Sequence, residues 1–453
     1  MTEQPDLIVV GMGVGGEEVA ARTAEAGMHV LGIERKLVGG ECPYWGCIPS
    51  KMMVRAANAL AEARRVARLA GTATTEPSWA PVAARVREAT ANWDDEIAVE
   101  RFRRAGGTFL RGEARIVGER AVEVDGERFA ARRGIVIATG GEPATPPIDG
   151  LDEVAFWTNR EAIEAAELPR SLVVLGAGAI GLELAQAFHR FGTDVTLIEV
   201  AEQALPTEEP ENGAAIGEVL AAEGMTLRTG ISAKTVRNDG QSGVVVSLSD
   251  GSTVQGERLL VATGRRSDLR SLGVGAVGLD AAARAVEVDE HLRAGPGVWS
   301  VGDVTGKGAF THVAMYQARI ATADILGRDH EAADYSAVPR VTFTDPEVAS
   351  VGMTEAQARQ AGHRVRTGVA TTASSARGWI HGPGAEHGVM KLVADAGRDV
   401  LLGGSVMGPA AGEVVGLLVL AVRQRVPVAA LRELIYPYPT FVRGLEDAMR
   451  QLA

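Results

Sequence analysis

The pattern that most limits the fold occurs twice. "DLIVVGMGVGGEEVAARTAEAGMHVLGIER" opens with an apolar strand from Leu7 to Val10 and turns through Gly11, Gly13 and Gly16. It continues with helical spacing and closes on a second strand, His29 to Glu34. "SLVVLGAGAIGLELAQAFHRFGTDVTLIEV" repeats each part, with Gly176, Gly178 and Gly181 in the turn and Glu199 ending the second strand. In both copies the acid lies 23 positions after the first glycine (34 − 11 and 199 − 176). The first glycine allows a tight turn, the second lets a pyrophosphate approach the backbone, and the third lets helix pack on strand. The helix N-terminus then faces the phosphates, and the acid accepts from a ribose hydroxyl. Two complete copies predict two dinucleotide sites on α/β units, for two cofactors or for one cofactor and one co-substrate.

A second echo agrees. "GIVIATGGEP" and "RLLVATGRRSD" are apolar strands that both end in Ala-Thr-Gly, and they mark Thr139, Gly140 and Gly264 as the returns of two nucleotide-binding units. "GGEPATPPIDG" follows the first and reads as a linker between domains. Two Ala- and Arg-rich stretches, 52–71 and 81–106, have helical spacing, and their arginines read as solvated faces. After residue 335 the pattern changes to alternation. Two strands are expected around a turn at Asp395 to Arg398, then a helix so apolar from Val414 to Val422 that it belongs in a core or a subunit interface.

The two cysteines of the chain, Cys42 and Cys47, both lie in "GGECPYWGCIPSK". A metal site, a staple and a redox switch are the candidates. Two cysteines cannot make a four-thiolate zinc site, and no histidine lies between His29 and His189 to complete a mixed one. No residue is assigned to a resident metal. A net charge of −12 disfavours nucleic acid and anionic membranes, and no run is long and apolar enough to span a bilayer. With no basic leader before the first strand, the expected location is the cytoplasm, where an inert staple is disfavoured. Pro43 suits a first helical position, which would make Cys42 an N-cap whose thiolate the helix dipole favours. Residues five apart on a regular helix point about 140° away from each other, so a bridge between the pair needs a distorted first turn.

These motifs, in this order and along nearly the whole chain, resemble the FAD-dependent pyridine nucleotide-disulfide oxidoreductases, the family of dihydrolipoamide dehydrogenase, glutathione reductase and mercuric reductase. The resemblance rests on both fingerprints, Cys-x4-Cys followed by Ile-Pro-Ser-Lys, both Ala-Thr-Gly turns, "VWSVGDVTG" and "FTDPEVASVGMTE". It implies two Rossmann-like domains and a C-terminal α+β dimerisation domain. Residues 1–149, completed by 266–335, would bind FAD; 150–265 would bind NAD(P)H; 336–453 would form the interface of a homodimer with a shared active site. Gly11, Gly13, Gly16 and Glu34 look like the adenosine side of the FAD site, and Asp303 matches the aspartate that holds the ribityl chain. Cys47 would be the flavin-proximal thiol and Cys42 the interchange thiol of a redox-active disulfide. Lys51 would pair with Glu183 beside the flavin. Gly176, Gly178, Gly181 and Glu199 would hold the nicotinamide dinucleotide. Glu199 repels a 2′-phosphate, and "EVAEQALPTEEPENG" carries no arginine, the next basic residue being Arg228, so NADH is expected over NADPH.

Two departures bear on the substrate. Pro43, Tyr44 and Trp45 stand between the cysteines, either as packing or as an aromatic wall. At the C-terminus, where disulfide-reducing members carry His-x-His-Pro-Thr-x-x-Glu, this chain has Tyr436, Tyr438 and Arg443. A phenol with pKa near 10 is a poor base at pH 7, and general acid–base help is worth roughly 10²–10⁴-fold. Exchange with lipoamide or glutathione is therefore not the expected main activity. The tyrosine resembles that of mercuric reductase, yet no further cysteine follows Cys47 to hand over a metal. The expected acceptors are a quinone, a metal ion or an atypical disulfide. The alternatives are a flavin-dependent oxidase or dehydrogenase of a small dithiol and a non-catalytic flavin-binding dimer.

Overall fold

The computed structural model describes residues 4–241 and 243–452. The chain divides into two compact units, one of Met1–Pro49, Arg87–Ala144 and Arg265–Tyr335, the other of Ser50–Val86, Thr145–Gly264 and Ser336–Ala453.

The first unit is built on a six-stranded sheet. Its order is Arg293–Gly295, Val298–Ser300, Gly134–Ile137, Leu7–Val10, Val30–Glu34 and Thr108–Arg111, parallel apart from the first pair. Leu7, Ile8, Val9 and Val10 are all buried, as expected of a strand covered on both faces. The helix Val14–Glu25 packs with Val19 and Ala20 on one face of the sheet, in a core shared with Phe102, Trp299 and Ile325. A three-stranded antiparallel sheet, Ala114–Gly118, Ala121–Val124 and Glu127–Ala130, closes the other face.

The second unit holds a four-stranded parallel sheet in the order Thr226–Arg228, Asp194–Ile198, Ser171–Leu175, Arg258–Val261. It also holds a five-stranded antiparallel sheet in the order Pro339–Thr342, Glu347–Gly352, Val400–Gly408, Val389–Asp395, Val365–Thr371. The turn expected at Asp395 is present, its carboxylate accepting from Gly397 N at 2.7 Å and Arg398 N at 3.2 Å. Val414, Val415, Leu418 and Val422 of the helix Ala411–Arg423 are buried against this sheet, while Leu420 points outward.

Two expectations need correction. The stretch 81–106 is not one helix. It forms Ala80–Ala89 and Glu96–Arg104, separated by Ala91, Asn92 and Trp93, all at positive φ. The break turns the Trp93 indole to donate to Tyr44 O at 3.2 Å. Nor are all the arginines of the first stretch solvated. Arg64 donates to Arg190 O at 2.8 Å, and Arg65 pairs with Asp345 at 2.8 Å.

Candidate functional site

Each glycine turn is held by its own acid. Glu34 accepts from Met12 N at 2.8 Å and from Lys36 N at 2.7 Å. Glu199 accepts from Ala177 N at 2.7 Å and from Ala201 N at 2.9 Å. The carboxylate at the end of each second strand therefore ties down the residue after the first glycine. Gly13 and Gly178 are the N-caps of two twelve-residue helices, with no side chain bonded to the first-turn N–H groups. A Cβ on Gly178 would meet nothing within 4 Å, and one on Gly13 only Gly40 Cα at 4.0 Å. A Cβ on Gly16 or Gly181 would stand 2.0 Å from the carbonyl oxygen of Gly11 or Gly176. Space over the second glycine, contact under the third and unsatisfied N–H groups at a helix start are the conditions a pyrophosphate requires, so the residues fit a dinucleotide at both turns.

The thiol segment lies directly on the first turn. Gly39 N donates to Met12 O at 2.7 Å, and a Cβ on Gly40 would come within 2.9 Å of Gly13 Cα. Gly40 has φ 66° and ψ −144°, a conformation open essentially to glycine alone. Gly39 and Gly40 thus dock the cysteines onto the dinucleotide turn. Sequence reasoning passed over them, although a Gly-Gly doublet next to a reactive motif signals close backbone approach.

Gly40 is also the N-cap of the short helix Glu41–Tyr44, which corrects the expectation for Cys42: it is the second helical residue. Trp45 and Gly46 interrupt the path, and a new helix, Cys47–Arg65, starts at the second cysteine. This break, rather than a distorted single turn, brings residues five apart together. The two thiols are not joined, and they hydrogen-bond to each other. The Cys47 thiol and burial push the Cys42 pKa up, opposite to the thiolate expected there. Cys47 is the more exposed of the two and lies 3.3 Å from Thr311 Oγ1. Tyr44 is buried, its carbonyl held by Trp93, whereas Trp45 is half-buried, its ring 5.9 Å from that of Tyr44.

Asp303 follows Gly302 at the start of a single 3₁₀ turn, where burial raises its pKa despite the nearby Arg265 guanidinium. Arg265 Nε, 3.8 Å from the carboxylate, is buried without a hydrogen-bond partner. A half-buried acid beside an orphaned guanidinium nitrogen fits a polyhydroxyl chain, which both donates and accepts. Glu41 also reaches Arg265, at 3.3 Å. Gly140, at φ 63°, faces open space and accepts from the Ser267 hydroxyl at 2.7 Å. Thr139 lies between this glycine and Ala138, whose N–H donates to Val10 O at 2.8 Å. In the second unit Gly264 likewise meets nothing within 4 Å.

The helix Cys47–Arg65 also carries Lys51, which contacts Glu183 at 2.6 Å. Glu183 is buried and accepts from Phe343 N at 2.8 Å, and the Lys51 ammonium stands 4.8 Å from the centre of the Phe343 ring. The two tyrosines near the C-terminus differ. Tyr436 is part-buried, its hydroxyl donating to Leu431 O at 2.9 Å. Tyr438 is 69% exposed, with the Arg443 guanidinium 5.4 Å from its ring centre.

The pyridine nucleotide-disulphide oxidoreductase family matches residues 5–318, and that family's dimerisation domain matches residues 338–449. The chain belongs to the pyridine nucleotide-disulphide oxidoreductases. Members of this family are FAD-dependent enzymes that use a pyridine nucleotide. A mercuric reductase of Bacillus cereus is 35% identical over 98% of this chain and 71% of its own length. A dihydrolipoyl dehydrogenase of Thermus scotoductus is 35% identical over 99% of this chain and 97% of its own. Among solved structures, the Cu(II) complex of the HOCl-induced flavoprotein disulfide reductase RclA from Escherichia coli superposes with a TM-score of 0.86 at 26% identity, covering 99% of both chains. LpdA from Mycobacterium tuberculosis gives 0.85 at 26% identity, covering 99% of both chains. Among the described residues no helix is long and apolar enough to cross a membrane.

Proposed function

We propose that this oxidoreductase takes two electrons from NADH and delivers them, by way of FAD and the Cys42–Cys47 pair, to a soft metal ion held by the thiols. Bound flavin supplies the two-electron relay between nicotinamide and sulfur. Gly13 and the open first turn of Val14–Glu25 would hold its pyrophosphate, and Asp303 its ribityl chain. Gly178 and Glu199 would hold NADH. Arg228, the nearest basic residue after Glu199, is engaged by Ser252 at 2.9 Å and Asp250 at 2.5 Å, so it is not available to a 2′-phosphate. In the overall reaction NADH becomes NAD⁺ and releases one proton, while two Cu²⁺ become two Cu⁺ or one Hg²⁺ becomes Hg⁰.

The observation that carries the choice of acceptor is Tyr438. It is an exposed phenol where disulfide-reducing members of the family place an imidazole. Disulfide exchange needs a proton moved on and off the interchange thiol. A metal held by two thiolates needs no such shuttle once the thiols are deprotonated. The positions of the thiols support this reading. Cys47 begins a nineteen-residue helix, where the dipole favours thiolate, and Cys42 retains its proton until a cation replaces it. In the homodimer we propose, Tyr438 faces the partner's thiols, and exposed Leu420, Ile435 and Trp379 supply apolar surface for the interface.

The test is NADH oxidation by the FAD-loaded protein with Cu(II) or Hg(II), a quinone, or lipoamide as acceptor. The expected result is metal-dependent turnover that Cys42→Ser and Cys47→Ser each abolish. Turnover greater with the quinone or lipoamide, or insensitive to both substitutions, would overturn the proposal.

A further inference from the structure

Far along the chain from the thiols, three side chains of the first unit converge at the C-terminal end of the helix Thr311–Ile325. They are Asp324, in the last turn of that helix; His330, five residues beyond its end (330 − 325); and His291, just before the strand Arg293–Gly295. One ligand atom from each lies within 4.8 Å of the other two. The His330 Nε2 to Asp324 Oδ1 distance is 3.4 Å. Two ligands of a tetrahedral cation with bonds of about 2.1 Å are about 3.4 Å apart.

A neutral His330 leaves the hydrogen bonds of the cluster incomplete. His330 Nδ1 faces the carbonyl oxygen of Glu331 at 3.2 Å, and its Nε2 faces the Asp324 carboxylate. A neutral imidazole carries one N–H, so it satisfies one of these oxygens and turns a lone pair on the other. With Nδ1–H donated to the Glu331 carbonyl, the Nε2 lone pair and the carboxylate oxygen converge on one point. A backbone carbonyl on the far nitrogen is the usual support of a metal-bound histidine. The carboxylate is supported too: Trp299 Nε1 and Arg293 Nε donate to Oδ2 at 2.7 and 2.8 Å, and Arg293 Nη2 donates to Oδ1, whose second lone pair remains for the cation. The Asp324 side chain is almost fully buried, so these bonds fix its orientation. On the third side, His291 Nδ1 is buried with no hydrogen-bond partner, and its ring stands edge-on to that of His330, 5.0 Å between centres.

We infer that His291, Asp324 and His330 form a second, structural site for a divalent transition cation of the Zn²⁺, Ni²⁺ or Cu²⁺ class, with water as fourth ligand. Two imidazoles and one carboxylate suit that borderline class and not Mg²⁺ or Ca²⁺, which take oxygen ligands. Arg293 shares the carboxylate with the cation, so the site carries little net negative charge. Its role is mechanical. The cation pins the segment after the helix to the sheet edge at Arg293–Gly295. Asp324 lies thirteen residues along the helix from Thr311, the residue beside Cys47, or about 20 Å at 1.5 Å per residue, so this site is separate from the thiols.

The test removes the competing ligands first. Full-length, FAD-loaded Cys42→Ser/Cys47→Ser protein is stripped with chelator, dialysed against graded ZnCl₂ and assayed for bound zinc. One zinc per chain is expected. His291→Ala and His330→Ala should each weaken binding at least tenfold with the flavin spectrum intact, and His363→Ala, which removes the imidazole bonded to Asp395 at 2.9 Å, should leave it unchanged. Absence of zinc from the cysteine-free protein would overturn the site whatever the histidine variants do. So would zinc binding that survives both histidine substitutions, or nitrogen-15 spectra in which His330 is an imidazolium at pH 7 whether or not zinc is added.

Discussion

The second and third glycines of the second fingerprint should fail in different ways when each is replaced by alanine. A Cβ at Gly181 would sit 2.0 Å from Gly176 O, and ordinary contact begins at 3.4 Å, so helix and turn must separate by about 1.4 Å (3.4 − 2.0). Overpacking of this kind costs about 1–3 kcal/mol, sometimes more, and the helix propensity of alanine returns up to ~1 kcal/mol. We expect Gly181→Ala to lose about 2 kcal/mol, or roughly 4–8 °C in Tm for a domain of ordinary size. Gly178 has φ −77° and ψ −177°, which alanine adopts freely, and its Cβ would meet no protein atom within 4 Å. Its replacement should cost under about 1 kcal/mol of stability, the scale of an N-cap change. The new methyl stands where the proposed pyrophosphate approaches, and loss of one charge-assisted hydrogen bond is worth about 1.5–3 kcal/mol. NADH affinity should then fall about 10- to 100-fold. Differential scanning fluorimetry gives the first quantity, and NADH titration of the FAD-loaded protein gives the second. Unchanged NADH binding in Gly178→Ala, or Gly181→Ala melting with the parent, would refute the division of labour.

Three further outcomes are expected. In the reduced protein, iodoacetamide at pH 7 should label Cys47 before Cys42, read by peptide mass; because the fold raises the Cys42 pKa above its ordinary 9.0, that stabilisation is complete below pH 9.0 and is lost as pH rises, so melting should come earlier in alkali. Tyr438→His should raise lipoamide-dependent turnover at least tenfold, toward the roughly 10²–10⁴-fold worth of a general acid–base, while Tyr438→Phe leaves metal-dependent NADH oxidation within about twofold; equal lipoamide rates in the three proteins would remove Tyr438 from the site. Glu199→Ala should narrow the ratio of kcat/KM for NADH over NADPH, and an unaltered ratio would show that another residue sets it.

What the sequence made legible follows from the range of the interactions involved. Both glycine turns, their strands and the Lys51–Glu183 pair were readable because each is a short motif with a fixed spacing or a family counterpart. The course of the chain between the cysteines was not. Pro43 pointed to a helix start, but the positive φ of Gly40 had already placed the N-cap two residues earlier. The break at Trp45 and Gly46 then depends on Tyr44 being buried and its carbonyl held by Trp93, a contact 49 residues away in sequence. The His291, Asp324 and His330 cluster gave no local signal, because its members come from a loop, a helix end and the segment beyond it.

The acidic segment after Glu199 acquires a second meaning from its partners. "TEEPEN" read only as a stretch lacking the arginines that hold a 2′-phosphate. In the folded second unit those acids are already committed. Glu208 pairs with Arg340 at 2.8 Å and bonds the Ser350 hydroxyl, while Glu209 and Glu211 reach the buried Lys391 ammonium at 2.9 and 2.8 Å, joined by Glu355 at 2.9 Å. Removing one partner of a fully buried pair such as Glu209–Lys391 costs about 3–5 kcal/mol. Arginines introduced here to bind a phosphate would therefore have to break the contacts that hold the segment to the five-stranded sheet. On this argument the proposed preference for NADH rests on two supports. Glu199 disfavours the phosphate directly, and the ion pairs of Glu208, Glu209 and Glu211 oppose an arginine at those three positions.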